Sequence, residues 1–171
     1  FLSGTIGGAG WYRSAVSCSF VTTDGTSGVR ATYYSLDGGP WTLYSGQFSI
    51  GAEGAHTLLS YSTDMAGNSD TVDSVSLRID TLAPDSTITF PIAGQVIGGA
   101  SILIRGAASD KGGSGLASVE VSINGGLWIQ ASGGASWSYA WTPDVRYGTE
   151  KLYQAFQLHT PHLHRYELVV P

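Results

Sequence analysis

Seven residues, SLDGGPW at 35–41, return almost unchanged as SINGGLW at 122–128. The echo runs backwards without a gap, SGVRATYYSLDGGPW (27–41) over SGLASVEVSINGGLW (114–128), and an aspartate precedes each copy: Asp24 in TTDGTSG, Asp110 in ASDKGGSG. Farther on, EGAHTLLSY (53–61) lies over YGTEKLYQA (147–155), which sets Gly54 on Gly148 and Leu58 on Leu152. Self-similarity in which the same motifs return in the same order marks one folding unit written twice. A chain of 171 residues has room for two units of about 85, each able to bury its own core. The boundary is expected in RIDTLAPDSTITF, where Pro84 removes a backbone donor and drives Ala83 to an extended conformation. This predicts domains over 1–82 and 83–171 joined by a short, stiff linker.

The period within each copy is two, not 3.6. Val16, Cys18 and Phe20 alternate with Ser17, Ser19 and Val21, and Val29, Ala31 and Tyr33 with Arg30, Thr32 and Tyr34. Later runs alternate on Leu59 and Tyr61 and on Val75, Leu77 and Ile79. Gly, Asp, Asn or Pro bounds each run, as hairpins require. Asp37-Gly38-Gly39 and Asn124-Gly125-Gly126 supply the positive backbone angles of tight turns, after which Trp41 or Trp128 starts the return strand. Short strands with a turn every eight to twelve residues predict an all-β chain of two tandem immunoglobulin-like β-sandwiches. The cysteine–tryptophan–cysteine arrangement of antibody domains is absent.

Composition excludes several classes of function. Net charge is −5 and the isoelectric point about 5.1, so no basic field exists to draw nucleic acid. No apolar run approaches the ~18 residues of a membrane span. The lone cysteine, Cys18, has no partner for an intrachain disulfide and no neighbouring His or cation to activate it, so it reads as a small buried apolar residue. Gly-x-Ser-x-Gly, His-Glu-x-x-His and phosphate-binding Gly-rich loops are all missing. The expectation is a non-enzyme. A start at Phe1 without a signal peptide suggests a processed or excised piece of a larger protein.

In the first copy, GWYRSAVSCSFVTTDGTSGVRATYYSLDGGPW, EGAHTLLSYSTDMAGN and SVSLRIDTLAP follow in order. Gly-Trp-Tyr, Asp-x-x-Ser-Gly-Val, Asp-Gly-Gly-x-Trp, Gly-x-His-Thr, Ser-x-Asp-x-Ala-Gly-Asn and a closing Ile-Asp-x-x-x-Pro resemble the bacterial Ig-like repeats of secreted and cell-surface proteins. Such repeats occur in leptospiral surface adhesins and as accessory modules of bacterial and archaeal exoenzymes. The resemblance covers about 8–84, extends over 85–147 as the related bacterial Ig type, and implies an extracellular, non-catalytic module. The second copy departs from it: QAFQLHTPHLHRYELVVP stands where the first has SYSTDMAGNSDTVDSVSLRID. Either EKLYQAFQLH and RYELVVP supply the last strands, turning at Thr160-Pro161-His162, or an edge is left open for a neighbour's strand.

Three groups of residues are candidate sites. Asp24, Asp64 and Asn68 come from two loops expected to meet at one end of a sandwich and offer the hard oxygens that calcium takes; the alternative is that they hold their own turns. His159, His162 and His164 have spacing that can present imidazoles to a metal, against a polar tail near a turn. Trp41, Trp128, Trp137, Tyr139 and Trp141 are either core or an interaction surface for protein or sugar, and the period-two run WSYAW puts three of them on one face.

Three functions remain open: a spacer or adhesion segment of a surface or secreted protein, a self-assembling fibre or filament subunit completed by β-strand exchange, and an accessory carbohydrate-binding module. The corresponding partners are other protein domains, copies of itself or polysaccharide.

Overall fold

The computed structural model describes residues 1–95, 97 and 99–143 in full and, for 157–160 and 163–168, the course of the strands. It divides into two compact units, Phe1–Thr81 and Leu82–Pro171.

The first unit contains β1 (Leu2–Ser3), β2 (Val16–Cys18), β3 (Val29–Leu36), β4 (Thr42–Leu43), β5 (Phe48–Ile50), β6 (Gly54–Asp64) and β7 (Asp73–Ile79). One sheet has the order β1-β2-β5 and the other β4-β3-β6-β7. All pairs are antiparallel, with β3 on β6 in register from Ala31↔Thr63 to Leu36↔Leu58. The two sheets close on Val16, Cys18 and Ile50 from one side and Leu58, Leu77 and Ile79 from the other. Each of the larger aliphatic side chains contributes roughly 1.5–3 kcal/mol by leaving water. Burial pushes the Cys18 thiol above its ordinary range, so it packs as an apolar group and carries little thiolate.

One face assignment differs from the sequence pattern. Leu59 and Tyr61 alternate as if they faced the core, yet β6 buries His56, Leu58 and Ser62 instead. Register places the faces: Leu58 is paired with Leu36 and the two pack toward the core, while Tyr61 is paired with Tyr33 on the other side of the sheet. The buried hydroxyls at the far end of this sheet are satisfied. Thr32 lies 3.0 Å from Ser62 and 3.0 Å from Thr22, closing a triangle beneath the loops.

The second unit contains β8 (Asp85–Phe90), β9 (Ile102–Ser109), β10 (Val119–Ile123), β11 (Ile129–Gln130), β12 (Ser132–Gly133), β13 (Ser136–Trp141), β14 (Gln157–Thr160) and β15 (Leu163–Leu168). Its sheets have the orders β12-β13-β9-β8 and β11-β10-β15-β14. Strand β9 alternates strictly, burying Ile102, Ile104, Gly106 and Ala108. Trp137 sits directly opposite Gly106, and a Cβ on that glycine would fall on the indole and on the Thr87 carbonyl. Glycine here is the hollow that receives the ring. Val119 and Val121 of β10 complete this core.

The tail forms a hairpin, with Gln157↔Tyr166 through Thr160↔Leu163 in antiparallel register. Its second strand lies inside, and β15 therefore runs parallel to β10, pairing Val119↔His164 through Ile123↔Leu168. The corresponding place in the first unit, beside β3, is taken by antiparallel β6.

Candidate functional site

The Asp24 loop and the Asp64–Asn68 turn meet at one end of the first unit, around a cleft of about 190 Å³. A backbone bond from Met65 N to the Gly28 carbonyl, 2.9 Å, ties the two loops together. Each carboxylate is bonded first to its own loop. Asp24 Oδ2 accepts from Gly28 N at 2.6 Å, Thr26 N at 3.2 Å and Ser27 Oγ at 3.2 Å. Asp64 accepts from the Asn68 backbone at Oδ1 and from the Asn68 side-chain amide at Oδ2, both at 2.8 Å. These donors stabilise the ionised forms and hold both carboxyls below their ordinary 3.8, Asp24 chiefly through Gly28 and Asp64 chiefly through the Asn68 amide. The Asn68 amide thus points a donor, not its oxygen, at Asp64. Among the described residues no group of three His, Cys, Asp or Glu side chains has metal-holding geometry. Chemically, the cleft presents fixed negative charge over a floor of hydroxyls from Thr22 and Ser62.

A loop of the same kind, one residue longer, is built in the second unit. Asp110 Oδ2 accepts from Gly115 N at 2.6 Å and Ser114 Oγ at 3.5 Å, and Oδ1 from Gly112 N at 3.4 Å.

The candidate aromatic residues separate by burial. Trp137 is 2% exposed and belongs to the core, against which Trp128, Tyr139 and Trp141 also pack. Trp41 is 43% exposed and lies edge-on to Tyr61, with centroids 4.7 Å apart. Tyr61 in turn stacks on Tyr33 at 5.2 Å. The three rings form a cluster on the outer face of the first unit's larger sheet and spend much of their π-surface on one another. His159 and His164 are register partners across β14 and β15, and His162 lies outside the described residues.

The sequence reading missed one arrangement. His56 is 8% exposed, with Nδ1 2.7 Å from Asp37 Oδ2 and Nε2 2.9 Å from the Ala52 carbonyl. Asp37 also accepts from Thr57 N at 2.8 Å through Oδ1. The turn after β3 is thereby fastened to β6. The bond to Asp37 is the main cause that raises the imidazole above its ordinary 6.5, and the imidazole in turn lowers Asp37. The signal was present in part, since the histidine of Gly-x-His-Thr stands in a period-two strand with no evident local role.

No helix among the described residues is long and apolar enough to cross a membrane. No curated protein and no solved structure matches the chain. Residues 84–153 match the family model described as the bacterial Ig domain, a domain that is typically a non-catalytic module. The match falls on the copy with fewer of the recognised motifs, where β8–β13 supply the paired sheets and the Trp137 core. The likeness to a bacterial Ig domain thus rests on residues 84–153, within the second unit.

Proposed function

We propose that the chain is a tandem of two Ig-like sandwiches, over 1–82 and 83–171, serving as a non-catalytic spacer and adhesion segment of a bacterial secreted or surface protein. The observation that carries this reading is the use of polar side chains. Asp24, Asp64, Asn68 and Asp110 all bind the loops that hold them. Such bonds stiffen a module's ends. Repetition of one turn in both units supports the same view, because a spacer gains length by copying a unit whose turns fold by themselves. The partners expected are other protein domains, met through the exposed sheet faces and loops.

The test is the solution mass of the chain over a hundredfold concentration range, with and without chelator, followed by retention on insoluble polysaccharide. A constant monomer mass and no retention are expected. Growth of mass with concentration would replace the spacer by a strand-exchanging filament subunit. Growth that chelator reverses would give Asp24, Asp64 and Asn68 a calcium role, and retention on polysaccharide that Trp41→Ala abolishes would favour the carbohydrate-binding reading.

A further inference from the structure

The His56 ring has an acceptor at each nitrogen, a carboxylate oxygen at Nδ1 and a backbone carbonyl at Nε2. Neither partner has a proton to give. Neutral imidazole carries one N–H and can satisfy only one of them, whereas imidazolium satisfies both. The ring is buried, so water cannot readily take over the bond that fails. Of the two bonds, the charge-assisted one to Asp37 is the stronger, and the last proton stays on Nδ1. Deprotonation then leaves the Nε2 lone pair facing the Ala52 oxygen.

Ala52 belongs to the short loop 51–53 between β5 and β6. The next residue, Glu53, grips the end of the first unit: its carboxylate accepts from Thr81 N at 2.9 Å and from the Thr81 hydroxyl. Thr81 is the last residue of that unit. A proton on His56 is thus linked through two residues of chain to the anchor that holds the unit's exit strand.

We propose that His56 is a proton-operated latch: as imidazolium it pins the loop 51–53, and with it the Glu53–Thr81 anchor, and loss of the Nε2 proton releases both. The charged groups on the neighbouring elements fit this assignment. Asp37 comes from the turn after β3 and is the ion-pair partner. Arg78 on β7 neighbours Leu77, the register partner of His56, but its guanidinium lies over Trp11 and donates to the Ala9 carbonyl. Glu53 is engaged with Thr81, and Asp80 is buried just beyond β7. For a group whose folded value is raised, the stabilising bond is complete below the ordinary 6.5 and fades as pH climbs through the folded value. Asp37, lowered, keeps its part above its ordinary 3.8 and loses it only in stronger acid. The latch therefore closes under mildly acidic conditions and opens toward the alkaline side.

The experiment uses the full chain with nitrogen-15-labelled histidine, the His56 signals being identified by their loss in His56→Gln. Ring-nitrogen spectra across a pH series, together with amide exchange at Thr81 corrected for its intrinsic pH dependence, report the latch and the anchor. Expected are two protonated ring nitrogens at pH 6, a midpoint above 6.5, an Nδ1–H tautomer beyond it, and Thr81 protection that falls several-fold through the same midpoint. Asp37→Asn, which keeps a side chain that the second unit accommodates at Asn124 with φ 54°, should lower the midpoint. A neutral ring at pH 6, an Nε2–H tautomer at high pH, or Thr81 protection indifferent to the midpoint would each overturn the proposal.

Discussion

The two units build the same turn and support it differently. Asp37 and Asn124 have φ of 51° and 54°, and the glycines that follow have 72° and 69°. Gly39 N bonds the Leu36 carbonyl and Gly126 N bonds the Ile123 carbonyl, each at 2.9 Å. A buried serine two residues before the turn caps each from below, Ser35 to Gly39 O at 2.7 Å and Ser122 to Gly126 O at 2.9 Å. Beyond this point the copies part. The first unit bolts its turn to β6 through Asp37 and His56 and surrounds its core with the rings of Phe20, Tyr34 and Phe48. The second has Asn124 for the aspartate, carries Glu150 at the position aligned with His56, and centres its core on Trp137 over Gly106. A local turn is specified by a few contiguous residues, while what holds it to the next strand is a separate, non-local choice.

That comparison can be broken at its strongest point first. Trp137→Ala should remove about 4 kcal/mol from the second unit, because deleting the buried indole leaves a ring-sized cavity over Gly106. Calorimetry of the full chain should then show one transition shifted well down and the first unit's transition unmoved; a common shift would mean that the units melt as one. Gly106→Ala approaches the same site from the other side. It should cost about 3 kcal/mol by forcing the indole and the Thr87 strand apart, read as a lowered midpoint in denaturant.

The pH profile sharpens the contrast between the hairpins. Between pH 6 and 9 the first unit should lose stability as His56 gives up its proton, since its folded value is raised. Asp37→Asn should flatten that profile, and melting curves over the range would detect it. The Asp24 and Asp110 loops should respond in the same direction, Asp24→Ala lowering the first unit's midpoint and Asp110→Ala the second's, the former more because Asp24 holds more close donors. Smallest and most equal should be Ser35→Ala and Ser122→Ala, each costing about 1 kcal/mol for one buried hydroxyl bond. Unequal losses there would show that the twin turns are less alike than their angles.

Strand positions, turn residues and the all-β class were legible in the chain because they rest on period-two alternation and on residues that tolerate positive φ. The meeting of Asp24 with Asp64 and Asn68 could be anticipated from loop order, but not that the Asn68 amide would turn its nitrogen to the carboxylate. What the amino-acid order determined by itself is local: which segments extend, where they reverse, and that one turn is used twice. Tertiary structure alone decided which parity of β6 is buried, that the strand closing the second unit runs parallel to β10, and that His56 faces two acceptors. The physical reason is range. Alternation records that a strand has two faces, but the choice between them, and the partner a buried polar group finds, depends on register with residues tens of positions away.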